Sequence, residues 1–185
     1  METFSSILLG IGLSAATGFR IFIPFLVASI ASLLGYLPLS SGFEWIGTYP
    51  ALIAFGAATL FEILAFYIPW FDNILDTIAT PAAFIAGGVL MVAVLSGIPP
   101  LYKWALVIIA GSGAAGIVQT GTALTRFTSS TTTGGIANPV VSTGEAGLSF
   151  LISVLAILVP IAAFFILLFL LIFFARKIFQ KNRHS

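Results

Sequence analysis

The chain has no cysteine and a single histidine, His184, in 185 residues. The first absence excludes disulfides, thiolate zinc sites, iron–sulfur clusters and cysteine nucleophiles. His184 stands in a basic tail, which leaves no basis for histidine catalysis or His-ligated haem. Charge is scarce as well. Asp, Glu, Lys and Arg make up 7% of the residues, whereas soluble chains carry about 25%. A net charge of +1 without a basic stripe gives no footprint for nucleic acid. No cofactor and no nucleic-acid partner are expected.

What the chain has instead is apolar. Its hydrophobic fraction is 59%, against about 45–50% in globular proteins. Seven basic and six acidic side chains cannot cover a soluble domain of this size. The composition therefore indicates an integral membrane protein.

A bilayer core about 30 Å thick takes roughly 20 apolar residues of helix. Five segments qualify: residues 7–35, 50–68, 74–97, 101–125 and 146–175. Their apolar runs are continuous rather than alternating, which favours helices over a barrel. The expected fold is an all-α polytopic transmembrane bundle in one domain, residues 1–185. Residues 126–145, with the Thr128–Thr133 hydroxyl run, read as a polar external loop or a re-entrant segment. The first and last segments exceed a simple crossing, with Pro24 and Pro160 as expected bends. The start, Met1-Glu2-Thr3, lacks the basic region of a secretory signal, so the first segment is expected to be retained.

Arg176, Lys177, Lys181 and Arg183 follow the last segment. The positive-inside rule makes residues 176–185 a cytoplasmic tail, and five spans then place the N-terminus outside. Lys103 falls inside and Arg126 outside on this reading. Tyr36, Trp45, Tyr49, Tyr67, Trp70, Tyr102 and Trp104 all lie at segment ends, as interfacial rings do.

Segments 1 and 4 echo each other. Gly12, Ala15 and Ala16 align with Gly111, Ala114 and Ala115, and Arg20 falls on Gln119. Three crossings separate the two, which makes an inverted-topology repeat one reading and chance similarity of small-residue spans the other. Gly111 to Gly116 spells G-x-G-x-x-G, but it has no preceding strand and no acidic residue about 20 positions on, so no dinucleotide site is implied.

Ionisable groups inside a bilayer cost about 2.5–3.5 kcal/mol each and need a reason. Arg20 lies near the middle of segment 1, Glu62 near the end of segment 2, and Asp72 and Asp76 at the start of segment 3. Gln119 lies at similar depth in segment 4. With Arg20, Glu62 and Asp76 lining a water-accessible outward cavity, a carboxylate could bind a cation or exchange a proton. The structural alternative is an Arg20–Glu62 ion pair. Asp72 also suits a helix cap, and Ser142-Thr143-Gly144-Glu145 matches a capping box. Asp72 and Asp76, one turn apart, are candidates for holding Mg²⁺ against a lipid phosphate, although no second paired-aspartate motif accompanies them.

The sequence resembles a bacterial integral-membrane family, domain of unknown function 4126. The matching residues are Gly18-Phe19-Arg20-Ile21-Phe22-Ile23-Pro24, Glu62, Pro69, Asp72-Asn73, Asp76, Asn138-Pro139 and Ser142-Thr143-Gly144-Glu145. The resemblance implies a compact helical protein of a bacterial inner membrane, with no established activity. It groups Arg20, Glu62, Asp72 and Asp76 in one site. The functional expectation is a small transporter- or channel-like protein binding a cation, proton or small solute. A non-transporting scaffold or lipid-binding module is the alternative, and an Mg²⁺-dependent lipid-phosphate enzyme a third reading. Expected partners are membrane lipids and a second copy of the chain.

Overall fold

The computed structural model describes the backbone of residues 3–67 and 69–181, with side chains except at 69–76, 170–171 and 173–181. The described residues form seven helices and no strand. These are α1 (Thr3–Thr17), α2 (Phe22–Leu33), α3 (Tyr49–Phe66), α4 (Pro69–Val94), α5 (Pro100–Thr133), α6 (Asn138–Leu158) and α7 (Pro160–Lys181). α3, α5, α6 and the Thr77–Val94 part of α4 are each long and apolar enough to cross a membrane. Their outer faces expose large apolar side chains, including Ile53 and Phe61 of α3 and Ile109 and Ile117 of α5. Such continuous apolar surface requires lipid. The chain is an integral membrane protein.

Proline sets several helix starts. Pro24 is the third residue of α2 and Pro160 the first of α7. At a first turn the missing N–H removes no intrahelical bond. The two expected bends therefore open new helices. Segment 7–35 is divided into α1 and α2, and segment 146–175 between α6 and α7.

α1 and α2 double back on each other. Gly10 of α1 packs on Met91 and Val94 of α4. Ser40, beyond α2, donates its hydroxyl to the Val92 carbonyl and its N–H to the Ala93 carbonyl, both at 2.7 Å. A continuous helix from Gly10 to Leu33 would separate these groups by about 35 Å. The connection from Leu34 to Ser40 reaches at most roughly 25 Å. The pair is therefore an antiparallel hairpin with its tip at residues 18–21.

The remaining helices alternate in direction. Phe25 meets Phe55 at 5.1 Å, aligning α3 against α2. Ser14 donates to the Gly87 carbonyl at 2.7 Å, and Thr17 to that of Ala83 at 3.4 Å, so α4 opposes α1. On α5, Gly111 lies against Met91 and Gly116 against Phe84, so α5 opposes α4. Ser149 donates to the Ala16 carbonyl at 3.0 Å while Ala156 faces Gly12, so α6 opposes α1. α7 runs with α1, bringing Ala163 to Gly12 and Leu167 to the cluster around Ala15 and Val118.

The expected inverted repeat does not survive this order. α1 and α5 both oppose α4 and so run parallel. The hairpin tip adds a reversal that one long first span would have lacked. The aligned small residues instead pack helices closely. Met91 is held between Gly10 and Gly111, and a Cβ on Gly87 would fall 2.6 Å from the Ala115 Cβ. A π-helical turn at Val107–Ser112 lies at this contact. The G-x-G-x-x-G motif therefore belongs to helix packing.

The expected loop at 126–145 is mostly helix. α5 runs to Thr133 and α6 starts at Asn138. The hydroxyls of Thr125, Thr128, Thr131, Thr132 and Thr133 each donate to the carbonyl four residues earlier, at 2.7–3.0 Å. Back-bonding of this kind satisfies polar side chains along the helix. Gly134, with φ of 64°, ends α5 in the left-handed conformation that glycine tolerates. Tyr36, Trp45, Tyr49, Tyr102 and Trp104 are exposed together at the opposite end of the bundle.

Candidate functional site at the hairpin tip

The tip at residues 18–21 leaves backbone groups without helical partners, and neighbouring helices supply them. Thr122 of α5 donates to the Gly18 carbonyl at 3.3 Å, and Ser149 of α6 to that of Arg20 at 3.4 Å. Gly18 is required by close approach. A Cβ there would lie 2.9 Å from the Gln119 nitrogen.

Two N–H groups opening α2 point at a carboxylate. Glu62 of α3 accepts from Ile21 at 2.7 Å and from Phe22 at 3.0 Å, one on each oxygen. A carboxylate at a helix start meets both orphan donors and the positive end of the helix dipole. The alternative of an Arg20–Glu62 ion pair is replaced by this backbone contact. Glu62 holds the chain beside Arg20 rather than its guanidinium.

Arg20 turns instead to α6. Its Nη2 lies 3.2 Å from Oε2 of Glu145 and donates to the Ser142 carbonyl at 3.1 Å. Arg126 of α5 reaches the other carboxylate oxygen, its Nε donating to Oε1 at 3.1 Å. Both guanidinium groups lie against the ring of Phe66, 3.9 and 4.3 Å from its centre. Arg20, Arg126 and Glu145 are 1%, 2% and 5% exposed, so this is a buried charged cluster. Buried charges persist only when paired and hydrogen-bonded, and cation–π contact adds to the pairing here.

The capping role expected of Glu145 is overturned. α6 begins at Asn138, so Ser142 to Glu145 lies inside the helix, where Glu145 bridges two arginines. Gln119 is buried on the face of α5 that also carries Thr122 and Arg126. Asp72 and Asp76 lie on α4, but their side chains fall outside those described. Among the described residues no group of three metal-ligating side chains gathers.

Arg126, Phe66 and Ser142 went unrecognised in the sequence as parts of a site. The spacing of Gln119, Thr122 and Arg126 matches one helical face, a signal masked by reading a loop from residue 126. The depth expected of Arg20 also changes. It is central in its apolar segment, but the segment folds at that point, so its centre lies at one end of the bundle. Phe66 ends α3, whose 18 residues rise about 27 Å. The cluster is thus roughly one turn from a boundary, where ionised groups cost less. α7 runs towards the same end, carrying the backbone of Arg176, Lys177 and Lys181 with it.

No curated protein and no solved structure matches the chain. A family model described as Domain of unknown function (DUF4126) matches residues 7–180, and the chain belongs to that family.

Proposed function

We propose that this is a small transporter- or channel-like membrane protein whose ligand site is the polar cluster at the α1–α2 tip. One observation carries the reading. A doubled-back pair of short helices places irregular backbone and a helix start inside the protein, facing charged groups from three other helices. Broken helices at membrane depth are tolerated where they line protein or water, and transporters use them to hold ions and solutes. The ligand classes that fit are a proton, a cation or a small solute. Because α7 ends on the side of the cluster, the positive-inside rule turns this site towards the cytoplasm of the cytoplasmic membrane. That reverses the outward opening expected with five spans.

A scaffold reading draws support from the direct Arg20–Glu145–Arg126 contacts, which hold the α1–α2 tip, α5 and α6 together. Proteoliposome assays separate the two. The transporter reading expects proton, cation or solute flux that falls in Glu62→Ala while the purified variant stays folded and monodisperse. Absence of flux from wild-type protein, with Arg20 variants losing only stability, supports the scaffold.

A further inference from the structure

We propose that a half-open apolar recess between α5 and α7 seats one acyl chain of an anionic phospholipid, whose phosphate meets the basic residues at the end of α7. The site is separate from the polar cluster at the hairpin tip and does not depend on the transport reading.

α5 and α7 each pack on α1, and the small side chains between them leave a recess of about 60 Å³. Ile11 and Ala15 of α1 form its floor, Ala114 and Val118 of α5 one side, and Phe164 and Leu168 of α7 the other. Leu168 is 41% exposed at the mouth. Every lining side chain is apolar, so neither water nor a polar solute finds a hydrogen-bond partner there. In a protein whose long helices cross lipid, the apolar matter at this depth is acyl chain. A slender chain suits a slot whose width is set by Ala15 and Ala114, and it gains dispersion contacts from three helices.

Depth ties the recess to a headgroup. Leu167 joins the cluster of Ala15 and Val118, so this part of α7 is level with Ala15. Ala15 stands three residues before Gly18 of the tip, which puts it about 10 Å inside the boundary where α3 ends. Arg176 and Lys177 follow Leu168 by eight and nine residues on the same helix, a rise of about 12–14 Å. The two routes agree. A chain seated in the recess therefore has its phosphate at the level of Arg176 and Lys177.

Charge selects the lipid independently of the recess. Lys181 and Arg183 complete a group of four cations just beyond the last apolar run, and no Asp or Glu follows Glu145 in the chain to offset them. Such groups on the cytoplasmic side of a span attract anionic headgroups, each cation near the surface being worth roughly fivefold in affinity. A zwitterionic lipid would offer the same chain to the recess without this attraction.

The test uses full-length protein from nanodiscs of phosphatidylcholine and phosphatidylglycerol in equal amounts, released into mild detergent for native mass spectrometry. Wild type should retain phosphatidylglycerol about fivefold or more over phosphatidylcholine. Ala114→Leu, which fills the recess, should stay folded and retain roughly tenfold less phosphatidylglycerol, the worth of about two buried methylene groups. Arg176→Gln/Lys177→Gln should bring the two lipids close to parity. Should Ala114→Leu fail to fold, Leu168→Phe at the mouth takes its place and is read in the same way. Equal retention of the two lipids by wild type overturns the proposal, as does undiminished phosphatidylglycerol in a folded variant with the recess filled. A dimer that Ala114→Leu dissociates, with no lipid retained by wild type, makes a second copy the occupant and overturns it too.

Discussion

Glu145 meets Arg20 at 3.2 Å in the protein interior, although most of the sequence lies between the two. The same carboxylate holds Arg126, so one acidic group fixes two cations, one at the hairpin tip and one on α5. Removing one partner of a buried ion pair leaves an uncompensated charge. Glu145→Gln should therefore lower stability by about 3–5 kcal/mol. Denaturant unfolding in detergent micelles measures this. The Glu145→Gln/Arg126→Gln double variant should lose less than the sum of the single losses, since the partners are coupled.

Phe66 gives both guanidinium groups an aromatic face. Replacing it with leucine keeps most of the volume and removes the ring. The expected loss is about 1–3 kcal/mol, combining cation–π attraction with imperfect repacking. Phe66→Tyr should recover the cation–π part. Equal stability of the leucine variant and wild type would remove the ring from the account of the cluster.

Helical glycines divide into two groups. Gly87 faces Ala115 and the Gly111 carbonyl so closely that a methyl group would overlap both, whereas Gly121 meets nothing within 4 Å. Gly87→Ala should cost about 1–3 kcal/mol by forcing α4 away from α5. Gly121→Ala should be neutral or gain up to about 1 kcal/mol from helix propensity. Thermal unfolding of the two variants side by side tests the close α4–α5 contact.

Absence of cysteine makes single-cysteine labelling clean. Thr131 and Tyr36 are both exposed, at opposite ends of the bundle. With the tail end cytoplasmic, Thr131→Cys should react with an impermeant maleimide only in inside-out vesicles, and Tyr36→Cys only in right-side-out cells. The reverse pattern would place the tip site on the outer face.

The helical class and the membrane setting are legible in the sequence, because apolar runs speak locally, and Arg20 and Glu62 stand out there as isolated charges. Chain direction is not. Gly18 and Pro24 allow either a kink or a reversal, and only the Ser40 contacts with α4 decide between them. The Thr128–Thr133 run looks like a loop because its side chains are polar. Its hydroxyls satisfy themselves on the preceding turn, which composition does not reveal. Glu145 resembles a cap because its three predecessors do, while its arginine partners come from distant helices.

The hairpin formed by α1 and α2 also bears on biogenesis. Both of its ends emerge on one side, so the first apolar stretch cannot serve as a lone stop or start anchor during synthesis. Its two arms must enter the lipid together, or wait until α4 and α6 offer surfaces against which they can settle. Lasting commitment to one orientation therefore falls to α3 and the helices translated after it. A nascent chain arrested near residue 45 should remain extractable by alkaline carbonate, while one arrested beyond α4 should not.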